Sequence, residues 1–332
     1  MKSILAIIAF ILLFSLHNFS QNKNHLKVLP NRFTTENNYE IYKTNPDSIE
    51  AFNAKDSRTI INKTQLENGF LLIDYIRQSW NGSAWVNESK DSYTYDGSNK
   101  LTEKLYHSWG DSSWDKSEMY SFTYNESLNL TVELKQYWNG FTWINRHKYS
   151  FIYDVNNNQI EWLLRFWNDS AWVNGAKHIY TYDVNNNKIE GLLKLWNDSV
   201  WLNSGKYLDI YDENNNLIEE LGQSWNGSVW VNGYKYTCTY DTSNNLTEEL
   251  RQNWNGFTWI NSSKFSFTYN RYNNQTECLA QIWNGSTWAN SNKGLYTYDD
   301  NNNQIRFLYQ SWNGFTWGNS RSIHTLMMQT II

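Results

Sequence analysis

Cysteine and proline are scarce, two of each in 332 residues, and each scarcity closes off a class of answer. Cys238 and Cys278 fall at different places in the repeat set out below, with two whole strands between them if strands lie side by side in chain order. That gap is roughly 14 Å against the ~4.4–6.8 Å a disulfide needs, so no disulfide framework is expected. A basic excess is also missing: 28 Lys and Arg stand against 33 Asp and Glu, a formal net charge of -5. Nucleic-acid binding calls for a basic stripe, and no such partner is expected. No second long apolar run follows the one near the start, so no transmembrane segment is expected once that leader is removed. What is abundant is aromatic: 19 Trp, 23 Tyr and 15 Phe, with much Asn. That bias favours strands joined by Asn-containing turns over helices.

The first twenty residues carry Lys2, an apolar run from Ile4 to Leu16 and a polar stretch with Ser20 before Gln21. They read as a signal peptide over 1–20, which predicts an extracellular or cell-surface location. The run is shorter than the ~20 residues that span a bilayer. No Cys stands near the expected cut, so lipid attachment there is not indicated.

Trp80, Trp109, Trp138, Trp167, Trp196, Trp225, Trp254, Trp283 and Trp312 recur at intervals of 29 without an insertion, and a second Trp follows each by five residues. A fixed period of this size marks a repeat architecture. One copy reads L-T-E-E-L-R-Q-N-W, N-G-F-T, W-I-N-S-S-K-F-S-F-T-Y over 246–269. By strict alternation Glu248, Leu250, Gln252 and Trp254 share a face, as do Phe265, Phe267 and Tyr269, and both sets read as the buried sides. Asn-Gly after the first Trp suits a tight hairpin, with Asn168-Asp169 and Asn197-Asp198 as substitutes. The second turn, Asp154-Val155-Asn156-Asn157-Asn158 and its equivalents, packs side chains that bond the local backbone.

The fold class expected is therefore all-β: an antiparallel β-hairpin repeat array of nine 29-residue units, two strands each, forming a twisted or curled extended sheet or solenoid. One unit cannot stand alone, so stability is shared between neighbours and the ends need caps. The leucine-rich-repeat alternative fails because its signature is absent. Residues 21–70 lack the pattern and are expected to form an N-terminal linker or cap, 71–320 the repeat domain, and 321–332 an off-pattern tail. Met327-Met328 can only be ATGATG, and restoring one A in the A-rich codons at Arg321-Ser322 lets the tail read R-K-Y-T-Y-T-Y-D-A-N-N. That is the missing second strand and turn, so the tail reads as a frameshift product, and sequencing the gene past this point tests it.

The Y-T-Y-D-x-x-x-N segments at Tyr180 to Asn187 and Tyr296 to Asn303 resemble the YD repeats of RHS-type proteins, whose strands curl into a long sheet or shell. The resemblance covers about a third of each unit. The Gly usual after the Asp is absent, and the W-N-G-x-x-W element lies outside that family. With the signal peptide, the chain is also similar to aromatic-rich surface repeat proteins exported by type IX secretion.

Catalysis in a repeat array would show as residues that break the pattern. His107, His147 and His178 fall at three different places in the unit, and no Ser-His-Asp or Cys-His grouping is suggested. Glu103, Glu161, Glu190, Glu219, Glu248 and Glu277 form a column, whereas glycosidase carboxylates come as one special pair. No one-off polar cluster stands out along the chain, so no enzyme activity, catalytic residue or cofactor is expected. Asp154, Asn156 and Asn158 reproduce the D-x-N-x-N opening of a calcium loop, but the later Gly and Glu are missing. Turn chemistry explains these residues, and no metal is expected.

The tryptophans carry the remaining signal. One reading has each pair clamp across its hairpin. The other has an exposed aromatic ladder that stacks on glycans, for which Trp80, Trp85, Trp225, Trp230, Trp254, Trp259, Trp283 and Trp288 are the candidates. The expected function is a non-enzymatic secreted or cell-surface scaffold, structural or adhesive, with a carbohydrate-binding module as the alternative and glycans or cell-surface proteins as partners.

Overall fold

The computed structural model describes residues 49–53, 57–66 and 69–324. The chain divides after Thr44, and the expected signal at 1–20 lies outside the described residues, as does the tail beyond His324. Twenty strands are present among the described residues, from β1 (Ile49–Asn53), β2 (Ser57–Leu66) and β3 (Gly69–Trp80) to β20 (Trp317–His324). Each pairs antiparallel with the strand that follows it. No described pairing joins β20 back to β1, so the sheet is open. The first two strands fall within 21–70 and extend the sheet beyond the first Trp-bearing strand, β3. The off-pattern residues Arg321 to His324 still pair in register with Tyr309 to Arg306.

Both turns form for local reasons. In the hairpin between β15 (Leu246–Trp254) and β16 (Trp259–Tyr269), Asn255 Oδ1 accepts the amides of Phe257 and Thr258, both at 2.9 Å. Gly256 there has a φ of +99°, a conformation Gly adopts without a Cβ clash. In the other turn Asp154 Oδ1 accepts the amides of Asn156 and Asn158, while Asn157 carries the positive φ. Asn158 Nδ2 then donates to Asn186 Oδ1 in the next unit at 2.8 Å, and Asn187 repeats the bond to Asn215. An asparagine ladder thus ties successive turns together.

Each unit contains two β-bulges. Gln252 pairs with Asn261 but Arg251 pairs with Ser263, which leaves Ser262 as the extra residue. Thr239 pairs with Glu248 but Tyr240 with Leu246, which leaves Thr247. A one-residue insertion flips every later side chain to the opposite face. The first bulge therefore corrects the expectation that the Leu250 and Phe265 sets are both buried sides in the same sense. Leu250 lies opposite Lys264, whereas Phe265 lies opposite Glu249. One face carries Trp254, Trp259, Gln252, Asn261, Leu250 and Lys264; it is called the tryptophan face. The other carries Leu246, Phe265, Phe267 and Tyr269 and is called the core face.

The two faces are not equally protected. Among the described residues, every buried strand side chain lies on the core face, including Trp162, Leu164, Ala176, Leu193, Phe267 and Cys278. Leu246, Phe267 and Cys278 form one cluster, flanked by Cys238, Tyr240, Phe265, Tyr269 and Tyr296. The terminal Tyr of each unit closes it. Tyr269 Oη donates to the Leu246 carbonyl at 2.8 Å, and the same bond recurs from Tyr95 to Tyr298. Burial here comes from side chains covering their cross-strand neighbours, the unit of stabilisation in a sheet.

Candidate functional site

The tryptophan pairs sit where each hairpin turns. Trp254 faces Trp259 with ring centroids 5.1 Å apart and planes 62° apart. Trp225–Trp230 and Trp283–Trp288 repeat this at 5.2 Å, and Trp80–Trp85 at 5.5 Å. These are edge-to-face contacts, the arrangement the ring quadrupoles favour. A lysine from the preceding unit lies over the second ring: Lys206 over Trp230 at 4.9 Å, Lys235 over Trp259 at 5.1 Å and Lys264 over Trp288 at 5.2 Å. The eight candidate glycan-stacking residues therefore share one row on one face, but their rings are mutually tilted and partly covered. Trp80, at the first hairpin, is the most open at 41% exposed.

The core face holds a feature that reading along the chain missed. In β11 (Lys188–Trp196), β12 (Trp201–Tyr211) and β13 (Leu217–Trp225), the places taken two units later by Leu246, Phe267 and Cys278 are taken by Lys188, Asp209 and Glu220. The register confirms the equivalence: Asp209 is opposite Glu220 as Phe267 is opposite Cys278. A cation and two acids thus replace an apolar core cluster. Asp209 and Glu220 are each only 8% exposed, and charged side chains are almost never that buried unless paired.

Aromatic rings enclose the group. Lys188 Nζ lies 4.7 Å from the centroid of Tyr207 and 5.6 Å from that of Tyr180. Tyr234 Oη donates to Glu220 Oε1 at 2.9 Å. Room for the two tyrosines comes from glycine: a Cβ on Gly191 would collide with the Tyr207 ring, and one on Gly222 with the Tyr234 ring. His178, 6% exposed, stacks on Tyr180 at 4.5 Å and meets Tyr207 edge-on at 5.6 Å.

Burial dominates the electrostatics. It pushes the Asp209 carboxyl up to about 7, helped by Glu220 and opposed by Lys188. It pulls the Lys188 amine below the usual lysine range, against the two acids, and pulls His178 down to about 4, with Lys188 assisting. The Tyr207 and Tyr234 phenols are held well above their ordinary value by burial. Asp209 Oδ1 is buried without a hydrogen-bond partner. Burial thus moves both the acid and the amine toward their uncharged forms. The expectation that no one-off polar cluster exists is corrected, because the three residues belong to three strands and align only down the 29-residue columns.

The other flagged residues do not converge. His107 and His147 lie on β5 (Leu101–Gly110) and β8 (Trp143–Tyr153), apart from this cluster. Among the described residues no three His, Cys, Asp or Glu side chains are grouped as a metal would require. Both oxygens of Asp154 are engaged by its own turn, Oδ2 by Asn158 Nδ2 at 3.1 Å. Cys238 and Cys278 are free thiols on β14 (Trp230–Tyr240) and β17 (Gln275–Trp283), with β15 and β16 between them.

The fold and this site define an open, antiparallel β-hairpin repeat protein. No protein-family model and no curated protein matches the chain. Among solved structures it is similar to a Bacteroides fragilis protein of unknown function, 21% identical over 37% of this chain and 92% of that one, TM-score 0.32. It is also similar to TcdB2-TccC3-TEV, 12% identical with a TM-score of 0.36, and to a porin-like protein from Bacteroides uniformis, 9% identical with a TM-score of 0.33. The TcdB2-TccC3-TEV match covers 81% of this chain but 16% of that chain; the porin-like match covers 76% and 97%. At these scores the likenesses carry no functional argument.

Proposed function

We propose that the protein is a non-enzymatic, secreted or cell-surface scaffold with a structural or adhesive role. The observation that carries this reading is the repetition itself. Nine hairpins place the same Trp pair in the same register, eight of them repeat the bulge pair and the closing Tyr, and pattern-breaking polar residues gather on the core face in tight packing. Such an array extends by stacking, each unit contacting its neighbours, and suits a spacer whose length is set by unit number. The leader-like first twenty residues and the resemblance to YD and type IX-exported repeat proteins support the surface location.

The test is to excise one whole unit, residues 130–158, from the full chain. A scaffold tolerates this: export continues, the strand content per residue is unchanged, and solution scattering gives a shorter particle. Collapse to an unfolded or retained protein would count against the reading, as would catalytic turnover by the intact chain on any substrate panel.

The openness of Trp80 favours a second reading, a carbohydrate-binding module using the tryptophan row. Acrylamide quenching of tryptophan emission separates the two. Glycan-relieved quenching supports binding, and its absence across a polysaccharide panel supports the scaffold alone.

A further inference from the structure

We infer that Lys188 and Asp209 are joined by an intramolecular amide bond, formed without an enzyme and with Glu220 as the proton carrier, which cross-links β11 to β12. Three observations on the core face converge on it. First, the three residues occupy positions that are an apolar cluster two units later, so they are held together by the packing of the sheet and not by chance contact at its surface. Second, the combination occurs once. Down the 29-residue columns Lys188 is the only lysine among residues 72, 101, 130, 159, 188, 217, 246, 275 and 304, and Asp209 the only acid among 93, 122, 151, 180, 209, 238, 267 and 296. Third, Asp209 Oδ1 is buried with no hydrogen-bond partner, an arrangement that costs stability and calls for an explanation.

The register brings the reacting groups onto adjacent strands of the core face, where Lys188 makes no ion pair with either acid. The lysine head lies over the ring of Tyr207, two residues before Asp209 on the same face of β12, so bond formation requires the lysine side chain to swing from that ring to the Asp209 carboxyl. Glu220 stands on the far side of Asp209, directly opposite it in register, and Tyr234 holds one of its oxygens. Burial shifts Lys188 and Asp209 toward the uncharged amine and acid from which condensation starts.

The step balances within the chain. The Lys188 nitrogen lone pair attacks Asp209 Cγ and forms the C–N bond. The Glu220 carboxylate takes a proton from that nitrogen and passes it to the departing Asp209 hydroxyl as the C–O bond breaks. One water leaves, Glu220 returns to its starting form, and no oxidant, reductant or cofactor is consumed. Two ionisable groups in a low-dielectric site become one neutral amide, which removes the desolvation cost of keeping them there.

Intact mass spectrometry of the full chain, followed by tryptic mapping, tests this without any variant. The expected result is a chain lighter by one water and a branched peptide joining the segment 178–194, uncut after Lys188, to the segment 207–235. In Glu220→Gln the mass should return to that of the unlinked chain, while circular dichroism shows the sheet intact. A wild-type chain of full mass that trypsin cleaves after Lys188 overturns the proposal. So does a water loss that maps to any other pair of residues.

Discussion

Asp209 lies directly opposite Glu220 across the β12–β13 pair, in the place where Phe267 lies opposite Cys278 two units later. The backbone register is the same in both units, so the sheet accepts either a charged or an apolar trio without rearrangement. What differs is the surroundings. Gly191 and Gly222 stand where Glu249 and Ala280 stand two units on, and the tyrosines that fill their space wrap the charged group.

Glycine at 222 should be required for that wrapping. In Gly222→Ala the new Cβ meets the Tyr234 ring, and overpacking of this kind costs about 1–3 kcal/mol. The displaced phenol also loses its bond to Glu220. Pairing the change with Tyr234→Ala should recover part of the loss, giving a coupling of about 1 kcal/mol in a double-mutant cycle read by urea denaturation. Strict additivity of the two changes would contradict the contact.

Acid should destabilise the sheet through its buried histidines. Burial holds His178 down to about 4 in the fold, and His147 likewise, both by desolvation first, whereas an unfolded histidine titrates near ~6.5. A depressed folded-state value contributes stability that is fully present above ~6.5 and is lost as the pH falls through that value toward 4. His178, the more deeply buried, then accounts for on the order of 2–3 kcal/mol between pH 7 and 4.5, and the more open His147 for less. His178→Phe keeps a ring against Tyr180 and should flatten the fall in unfolding free energy over that range. An unchanged slope would show that His178 is not held neutral.

The closing tyrosines offer a uniform perturbation. Tyr269→Phe removes only the hydroxyl that reaches the Leu246 carbonyl, and the expected loss is about 1 kcal/mol, the usual net worth of such a bond. The same substitution at Tyr153, whose bond to Leu130 has the same length of 2.8 Å, should give a similar value. A large difference between the two would mean that stability is not shared evenly along the array.

The strands and turns were legible because their signals are local. Trp254 and Trp259 bracket four residues containing Asn-Gly, and Asp154 finds its partners within four residues. The facing of the side chains was not legible. Alternation predicts Phe265 on the face of Leu250, and only the extra residue Ser262 reverses this; a bulge of one residue leaves no composition signal. The charged trio was hidden for another reason. Lys188, Asp209 and Glu220 are 21 and 11 residues apart along the chain, and they meet only because hydrogen-bonded strands bring the columns together. Lining up the units and asking which column is broken would have found them. The tryptophan row, by contrast, was plain in sequence, while the tilt of its rings and the lysines over them belong to tertiary geometry.

Removing one member of the charged trio should harm the fold far more than removing all three. Lys188→Met leaves two buried carboxyls facing each other with no cation and no means of cross-linking. Leaving the buried acids without a compensating partner in this way costs about 1–3 kcal/mol. The triple change Lys188→Leu, Asp209→Phe, Glu220→Cys installs the side chains found 58 residues later, deletes the charges together and restores the kind of cluster seen around Phe267. Replacing buried charge by well-packed apolar side chains is often neutral or stabilising, so the triple variant should recover most of what the single one loses. The Phe at 209 must fit beside Tyr207 and Tyr211, as Phe267 fits beside Phe265 and Tyr269 in the equivalent places. Urea midpoints of the two variants decide the matter: a triple variant less stable than Lys188→Met would mean that the aromatic shell is shaped for the charged group and accepts no apolar replacement.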